Sequence, residues 1–344
     1  MTNLDAFRQK ISKSDMAPLW DVLAKLVTRT PVPEAVPAIW RFSEAAQLLR
    51  KAGELITAEE AERRVLILEN PAMRGQSKIA DSLYAGLQLI LPGETAPAHR
   101  HTQSALRYVL DGEGAFTAVD GERATMRPGD FIITPCWRWH DHGNDSKENV
   151  IWLDGLDIPI VDVFKAAFSE RHDEMKQTLA RPEGDAAWRY GSGLAPVDDR
   201  WAEASSPVFA YKYETAKEAL SGLASWEEPN PYHGHRLKYV NPNTGDWPMP
   251  TIAAYMSHLP KGFKTQVYRS SESRVWVATE GAGHVRIGDE SFNWGVNDVF
   301  VSPTWAEVEV EAYESSFIFS FSDRSAQEKL GLFREKAGNA GHGH

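Results

Sequence analysis

The chain has 344 residues, of which 42% are hydrophobic and 25% charged, a composition typical of a folded globular protein. Its net charge of −11 argues against nucleic acid and anionic membrane as partners, and no apolar run is long enough for a transmembrane helix. The single cysteine excludes an internal disulfide framework, and the N-terminus shows no secretory signal, so we expect a cytoplasmic protein.

Residues 1–75 are predicted to form an N-terminal helical region. Apolar residues in APLWDVLAKLV recur at the spacing of one helix face. A second helix is predicted over TAEEAERRVLILEN, with Thr57 as its N-cap and an acidic first turn.

Residues 76–160 are predicted to form a barrel of short antiparallel strands, because apolar stretches alternate there with the turn signals LPGE, LDGEG, VDGE and RPGD. Within this block, GETAPAHRH places His99 and His101 two residues apart, so both side chains face the same side of a strand. His140 follows in GDFIITPCWRWHDHGN and can complete a set of three imidazoles around a metal ion.

Residues 161–245 are predicted to hold connecting helices and loops, including a helix over ETAKEALSGL. Residues 246–323 form a second strand-rich block that repeats the first: RYVLDGEGAFTAVDGE aligns with RVWVATEGAGHVRIGDE, and PGDFIITPCW with VNDVFVSPTW. In this alignment the positions of the three histidines become Tyr268, Ser270 and Val308. Because valine has no donor atom, the second barrel is predicted to bind no metal there and to serve as a structural, dimer-forming partner.

Residues 324–344 are predicted to form a C-terminal helix and a tail. The His-x-His spacing also occurs at His233 and His235 and, within the tail, at His342 and His344. His233 and His235 lie in an irregular stretch, NPYHGHRL, and the other pair lies in the tail, so we interpret both pairs as unrelated to metal binding.

Two motifs around the three histidines carry a family resemblance. The first is a glycine, five residues and His-x-His, closed by Gly112; the second is Gly129, five residues, Pro135, His140 and Asn144. Together they resemble the two cupin motifs. Over nearly its full length the chain resembles the gentisate 1,2-dioxygenases, through MAPLWDVL, AHRHTQSALRYVLDGEGA, TPCWRWHDHGN and YVNPNTGDWPMPTI. The resemblance implies a mainly β bicupin fold, with two antiparallel double-stranded β-helix (jelly-roll) barrels.

The chain departs from the usual cupin motif at two positions. Ala105 or its neighbours occupy the place of a glutamate ligand, and Trp137 stands where glycine is common. A site of three neutral histidines leaves the 2+ charge of a metal uncompensated, which favours a substrate that brings negative charge, such as an ortho-hydroxy carboxylate. The resemblance implies one Fe(II) per subunit in the N-terminal barrel and a homotetramer. It also implies the reaction: O2 cleaves gentisate (2,5-dihydroxybenzoate) between its carboxyl- and hydroxyl-bearing carbons to give maleylpyruvate, in aromatic compound catabolism.

Strand parity and the resemblance together suggest substrate-binding residues. Tyr84, Gly86 and Gln88 share one side of a predicted strand. If that side is the barrel interior, Gln88 offers hydrogen bonds and Gly86 leaves room for an aromatic ring. Counting by twos from His101 brings Arg107 to the metal side, where its guanidinium would bind a substrate carboxylate in a bidentate manner.

The helical region and the second motif supply further candidates. Arg63 is a second possible anion clamp, and Arg64 equally fits that role. His142 lies two residues beyond His140, so it faces the site without having to bind the metal, and Asp154 on the next strand is placed to orient His142 and raise its basicity. In the resembled family such a histidine–aspartate pair, here the catalytic candidates, handles the phenolic proton.

A structural role stays open for several of these residues. Gln88 and Asp154 can equally serve a structural hydrogen bond, Tyr84 can be core packing, and Arg107 can be a surface residue. Cys136 is expected to be a small buried residue, and the tryptophans beside it are expected to pack rather than catalyse.

Three function classes follow from these features. The first is a dioxygenase acting on gentisate, with salicylate or 1-hydroxy-2-naphthoate as alternative substrates because they share the ortho-hydroxy carboxylate. The second is a zinc-dependent cupin isomerase, against which the missing glutamate at Ala105 counts. The third is a non-catalytic bicupin, against which the intact histidines and Arg107 count.

Overall fold

The computed structural model describes residues 2–198, 201 and 203–338. Residues 2–32 form one compact unit, and the described residues from Pro33 onward form a second. The first unit holds α1 (Asn3–Ser12) and α2 (Leu19–Leu26), so the helix predicted over APLWDVLAKLV is present. Thr2 and Asp5 form a capping box at the start of α1. Arg8 on α1 donates two hydrogen bonds of 2.7 Å to Asp21 on α2.

The larger unit begins with a mixed segment rather than a purely helical one. Its elements are β1 (Ala38–Trp40), α3 (Phe42–Leu55), α4 (Ala58–Ala61) and β2 (Val65–Ile67). Thr57 caps α4 as predicted, through a capping box with Glu60, but the helix ends after a single turn because Glu62 adopts a positive φ of 52°. The residues VLI then form a strand, since Val65 pairs with Gln88 in the next strand of the sheet. The longer helix predicted here is therefore wrong.

The first barrel follows, with antiparallel pairing throughout. Its strands are β3 (Tyr84–Ile90), β4 (Thr95–His101), β5 (Ala105–Asp111), β6 (Ala115–Val119), β7 (Glu122–Thr125), β8 (Phe131–Thr134), β9 (His140–Asn144) and β10 (Val150–Leu156). The connection adds α5 (Ile158–Val163), β11 (Ser169–Arg171), α6 (Asp185–Tyr190), β12 (Ala210–Tyr211) and α7 (Tyr213–Ala224). The two sheets run in the orders β12-β8-β5-β10-β3-β2 and β11-β4-β9-β6-β7.

The second barrel has the same arrangement of strands. They are β13 (His235–Lys238), β14 (Ala253–Leu259), β15 (Tyr268–Ser270), β16 (Arg274–Glu280), β17 (Gly283–Ile287), β18 (Glu290–Trp294), β19 (Val299–Ser302), β20 (Val308–Ala312) and β21 (Ser316–Ser322), with α8 (Arg324–Lys329) and β22 (Glu335–Ala337) after them. The sheets run β1-β19-β16-β21-β14-β13 and β18-β17-β20-β15-β22. The C-terminal segment therefore holds a strand beyond its helix, because β22 pairs with β15; His342 and His344 lie outside the described residues.

One turn of each barrel carries a tryptophan where the cupin motif commonly has a glycine. Trp137 and Trp305 both adopt positive φ, 60° and 64°. The backbone N–H of Trp137 donates to the carbonyl of His101 at 2.8 Å, and that of Trp305 to the carbonyl of Ser270 at 2.7 Å. Glycine adopts this conformation without strain, so its usual presence here has a steric reason.

The two barrels pack through their six-stranded sheets. Tyr108 of β5 stacks on Phe319 of β21 with ring centroids 4.0 Å apart, and Phe131 of β8 lies 5.3 Å from the same ring. The outward face of β5 is thereby buried, and alternate residues of that strand, such as Arg107, point into the first barrel. Among the described helices, none combines the length and hydropathy needed to cross a membrane.

Candidate metal centre

Three histidines of the first barrel converge in its interior. His99 and His101 lie on β4, and His140 lies on β9 directly opposite His99 in the register of the sheet. Ring centroids are 5.5 Å apart for His99 and His101, 4.2 Å for His99 and His140, and 4.8 Å for His101 and His140. Their candidate ligand atoms all lie within 4.8 Å of one another, close enough to hold one metal ion.

The hydrogen bonds of these rings leave one nitrogen of each free to bind a metal. The Nδ1 atom of each ring contacts a backbone carbonyl oxygen two residues away, at 2.7, 2.8 and 2.9 Å. A carbonyl only accepts, so Nδ1 carries the proton and Nε2 carries the lone pair. All three Nε2 atoms are buried without a hydrogen-bond partner among the described residues. Buried polar atoms are rarely left unpaired, so this donor set fits a metal ion.

Burial also keeps the three rings in the neutral form that binds metals. It lowers the pKa of His99 to about 3, an effect that the positive charge of Arg63 reinforces. Burial likewise lowers the pKa of His101 to about 4 and holds that of His140 well below its usual range. The site therefore needs little deprotonation before a cation binds.

Arg107 lies inside the barrel and not at the surface, since only 2% of the residue is exposed. Its Nη1 donates to Thr134 Oγ1 at 2.6 Å, and its Nε lies 3.5 Å from Asp154 Oδ1. Asp154 also accepts a hydrogen bond of 3.0 Å from Trp152 Nε1. Burial raises the pKa of Asp154 to about 6, although Arg107 opposes this.

The orienting partner of His142 differs from the one expected. His142 is fully buried, and its Nδ1 lies 3.0 Å from Thr117 Oγ1, whereas the contacts of the Asp154 carboxylate are Arg107 and Trp152. Thr117 is the register partner of His142 on β6. Sequence reasoning missed it, because a single sequence does not show which residues face each other across two strands. The Nε2 of His142 is buried and has no partner among the described residues.

Strand β3 supplies a row of residues beside the site. Gly86 lies opposite Asp154, and a Cβ atom placed on it would lie 2.6 Å from Val65 Cγ1 and 2.9 Å from Tyr84 Oη. Val65 and Tyr84 therefore fill the space in front of Gly86, and the room for an aromatic ring that the sequence predicts there is absent. Gln88 is 3% exposed, and Tyr84 is partly buried, with burial raising its pKa.

The two neighbouring arginines of the N-terminal segment have different surroundings. Arg64 is buried and forms an ion pair of 2.9 Å with Glu94, so its charge is already paired within the protein. Arg63 is exposed and lines, together with His99 and Arg171, a cleft of about 640 Å³ that opens to solvent. A cleft of this size accommodates a small aromatic acid. Of the two, Arg63 therefore has the position for an anion clamp.

In the turn before β9, the position of Cys136 differs from the sequence prediction, whereas the packing role of the tryptophans agrees with it. Cys136 is exposed and not buried, because it lies at the tip of the turn that joins β8 to β9. The two tryptophans that follow it serve packing: the guanidinium of Arg100 lies 4.6 Å from the ring of Trp137 and 4.6 Å from that of Trp139.

Comparisons with known proteins agree with this geometry. The cupin domain family model matches residues 86–157. The chain is 53% identical over 329 residues to gentisate 1,2 dioxygenase 1 of Aquipseudomonas alcaligenes, covering 96% of this chain and 95% of the relative. It is 36% identical to a gentisate 1,2-dioxygenase of Streptomyces sp, covering 97% and 96%.

The fold comparison points the same way. The crystal structure of a salicylate 1,2-dioxygenase from Pseudaminobacter salicylatoxidans is 33% identical, with a TM-score of 0.92 over 99% of each chain. Adducts of that enzyme with gentisate match with the same TM-score of 0.92, at 33% identity over 99% of this chain and 95% of the other. The predicted bicupin architecture is thereby confirmed.

Proposed function

Because the chain belongs to the gentisate 1,2-dioxygenase family, we propose that its first barrel holds Fe(II) and cleaves gentisate with O2 to give maleylpyruvate. The observation that carries this proposal is the set of three buried Nε2 atoms, left without partners, beside a buried arginine in the same barrel. His99, His101 and His140 would hold the metal. Bound there, Fe(II) would transfer electron density from the ring to O2. Imidazole donors alone fit several metals, so the family supplies the choice of iron.

Two arginines near the three histidines favour an anionic substrate, although the outer cleft also carries Glu59, Glu62 and Glu170. Arg107 and Arg63 both lower the pKa of His99 through their positive charge, so both lie within electrostatic reach of the ligands. Asp154 is the carboxylate that faces Arg107, and burial opposes its ionisation. A substrate carboxylate would be attracted by this positive field, and Arg107 would bind it.

Two other groups would orient the ring and accept its proton. Gly86 lets Val65 and Tyr84 Oη approach β3 where a Cβ atom would otherwise stand, and Gln88, on the same face of that strand, would donate a hydrogen bond to the substrate. His142 is held through Nδ1 by Thr117, and its unpartnered Nε2 would accept the phenolic proton of the substrate.

The same chemistry on salicylate or 1-hydroxy-2-naphthoate is the second candidate. Both share the ortho-hydroxy carboxylate, which Arg107 would bind in either acid. We also propose a cytoplasmic homotetramer acting in aromatic compound catabolism, a proposal that rests on the family; mass photometry of the purified enzyme would test the tetramer.

An oxygen-uptake assay tests the proposed reaction. Protein purified without oxygen and loaded with Fe(II) should consume one O2 per gentisate and form a product with the absorbance of a ring-cleavage keto acid. Salicylate and 1-hydroxy-2-naphthoate, assayed in parallel, would reveal the breadth of the pocket. Absence of uptake with all three acids would refute a ring-cleaving dioxygenase, and protein loaded with Zn(II) serves as the inactive control.

A further inference from the structure

The second barrel has a polar interior in the place where the first has its metal site. In the register of β14, β21 and β16, Tyr255 lies opposite Ser320, which lies opposite Trp276. The equivalent row of the first barrel, matched through β8 and β19, is Gly86, Asp154 and Arg107. The strand register thus matches Arg107 with Trp276 and corrects the sequence alignment, which matched it with Arg274. Arginines occupy other inward positions of the second barrel, at Arg236 on β13 and at Arg274 on β16. The side chains there are thus chemically unlike those of the first barrel.

These two arginines share one aromatic ring. The guanidinium carbon of Arg274 lies 4.5 Å from the centroid of the Tyr255 ring, and that of Arg236 lies 4.9 Å from it. Arg274 is 3% exposed and forms an ion pair with Glu272. Two cations therefore lie against one ring inside the barrel, and both line the same small cavity.

The buried carboxylate of Glu272, which pairs with Arg274, is already fully used. Besides its ion pair with Arg274, Glu272 accepts hydrogen bonds from Tyr255 Oη at 3.2 Å and Ser270 Oγ at 3.2 Å, and a further one from Ser322 Oγ. Its oxygens have little capacity left for a second guanidinium.

Arg236 consequently lacks an anionic partner. In the part of the chain that the structure describes, no carboxylate lies within 4.0 Å of its guanidinium, and its Nη1 is buried without a hydrogen-bond acceptor. The charge of the nearby Arg324 is neutralised by two ion pairs, with Glu328 at 2.6 Å and Glu335 at 3.8 Å. A buried guanidinium without an acceptor is costly, so the interior as it stands is short of one negative charge.

The space between these side chains limits the size of any ligand. In a cavity lined by His233, Ser270 and Arg274, the centre of a water molecule can move within a volume of about 30 Å³. A second cavity of about 20 Å³ shares His233 and Arg274 with the first and is lined by Arg236. One water-sized centre needs roughly 10–15 Å³, so the space admits a few atoms and excludes an aromatic acid.

We propose that the second barrel binds one small monovalent anion, a halide or a carboxylate the size of formate, between Arg236 and Arg274. The anion supplies the missing charge and accepts hydrogen bonds from both guanidiniums. The site is structural and stabilises this barrel. It does not depend on the reaction in the first barrel.

Thermal unfolding of the iron-loaded enzyme tests the site. At constant ionic strength, replacing sodium gluconate by sodium bromide or sodium formate should raise the Tm of the wild type by about 2–4 °C in a saturable manner. The Arg236→Gln variant should lose this rise. The matched variant Arg127→Gln, which alters an exposed arginine of the first barrel, should retain it.

Anomalous diffraction from wild-type crystals soaked in bromide gives a readout that needs no variant. A bromide peak between the guanidiniums of Arg236 and Arg274 is the expected result. Peaks only at exposed residues would overturn the proposal, as would a Tm that responds equally to bromide, formate and gluconate.

Discussion

At the residue scale, the convergence of the three histidines was predictable, and their neighbours were only partly so. The histidine motifs combine order, spacing and turn residues, which a sequence displays directly. The same parity argument placed Arg107 inside the barrel, where the structure has it. The link between Asp154 and His142 failed because it depends on cross-strand register, and the register instead puts Thr117 beside His142.

Removal of the His142 ring should separate metal binding from turnover. The His142→Ala variant should retain iron, because the three ligand rings are held by their own backbone carbonyls, and should lose turnover because the proton acceptor is gone. Thr117→Val should keep iron and lower kcat by about 10–100-fold, since the ring loses its orienting hydrogen bond. Iron analysis with steady-state kinetics measures both effects. If His142→Ala lost its iron, His142 would be a ligand.

Arg107→Lys tests the substrate clamp. A lysine keeps the charge and loses the planar pair of donors, so KM for gentisate should rise while the iron content stays unchanged. Thr134 Oγ1, which accepts from Arg107 at 2.6 Å, would also lose its partner. An unaltered KM would remove Arg107 from the substrate site.

At the element scale, the turn signals of the sequence predicted the strand-rich blocks. They did not predict the short strands at the edges of the sheets. The sequence TAEEAERRVLILEN has helical composition, but the helix stops at Ala61 because the following residues complete the edge of a sheet. Strand β22 was missed for the same reason: three residues acquire strand geometry only by pairing with β15. Local propensity is weaker than such tertiary pairing.

The capping box of α4 should influence the substrate cleft. Thr57 and Glu60 fix the single turn that leads into Glu62 and Arg63. Thr57→Ala should therefore raise KM with little effect on iron content, at a cost in stability of about 1 kcal/mol. Thr2→Ala removes the same kind of capping box from α1 and is the matched control. Equal KM values for the two variants would contradict a role for α4 in placing Arg63.

At the scale of the whole molecule, the two barrels form one core but have different interiors. The repeat was visible in the sequence, and so was the replacement of the three ligands by Tyr268, Ser270 and Val308. The arginines that occupy the second interior were not visible as a cluster, because Arg236 and Arg274 come together only when β13 and β16 join the same sheet.

One buried carboxyl between the barrels should make stability depend on pH. Asp323 accepts hydrogen bonds from Ser82, before the first barrel, and from the backbone N–H of Ser273 in the second. Burial raises its pKa to about 7 in the folded protein. The unfolded chain then binds fewer protons, so this group's contribution to stability falls as the pH rises from about 4 to about 7.

Asp323→Asn should flatten that dependence, since the amide keeps an acceptor for Ser273 and cannot ionise. Denaturant unfolding of the two proteins at pH 5 and pH 8 is the measurement. The wild type should lose more stability than the variant over this interval, and equal losses would contradict the assignment.

Metal stoichiometry tests the central claim most directly, that a single three-histidine site in the first barrel supports ring cleavage. Elemental analysis of protein loaded with Fe(II) and freed of excess metal should find one iron per chain in the wild type, with full oxygen uptake on gentisate. The His140→Ala variant should hold no iron and show no uptake. Two irons per chain, or iron and activity retained in His140→Ala, would contradict the account.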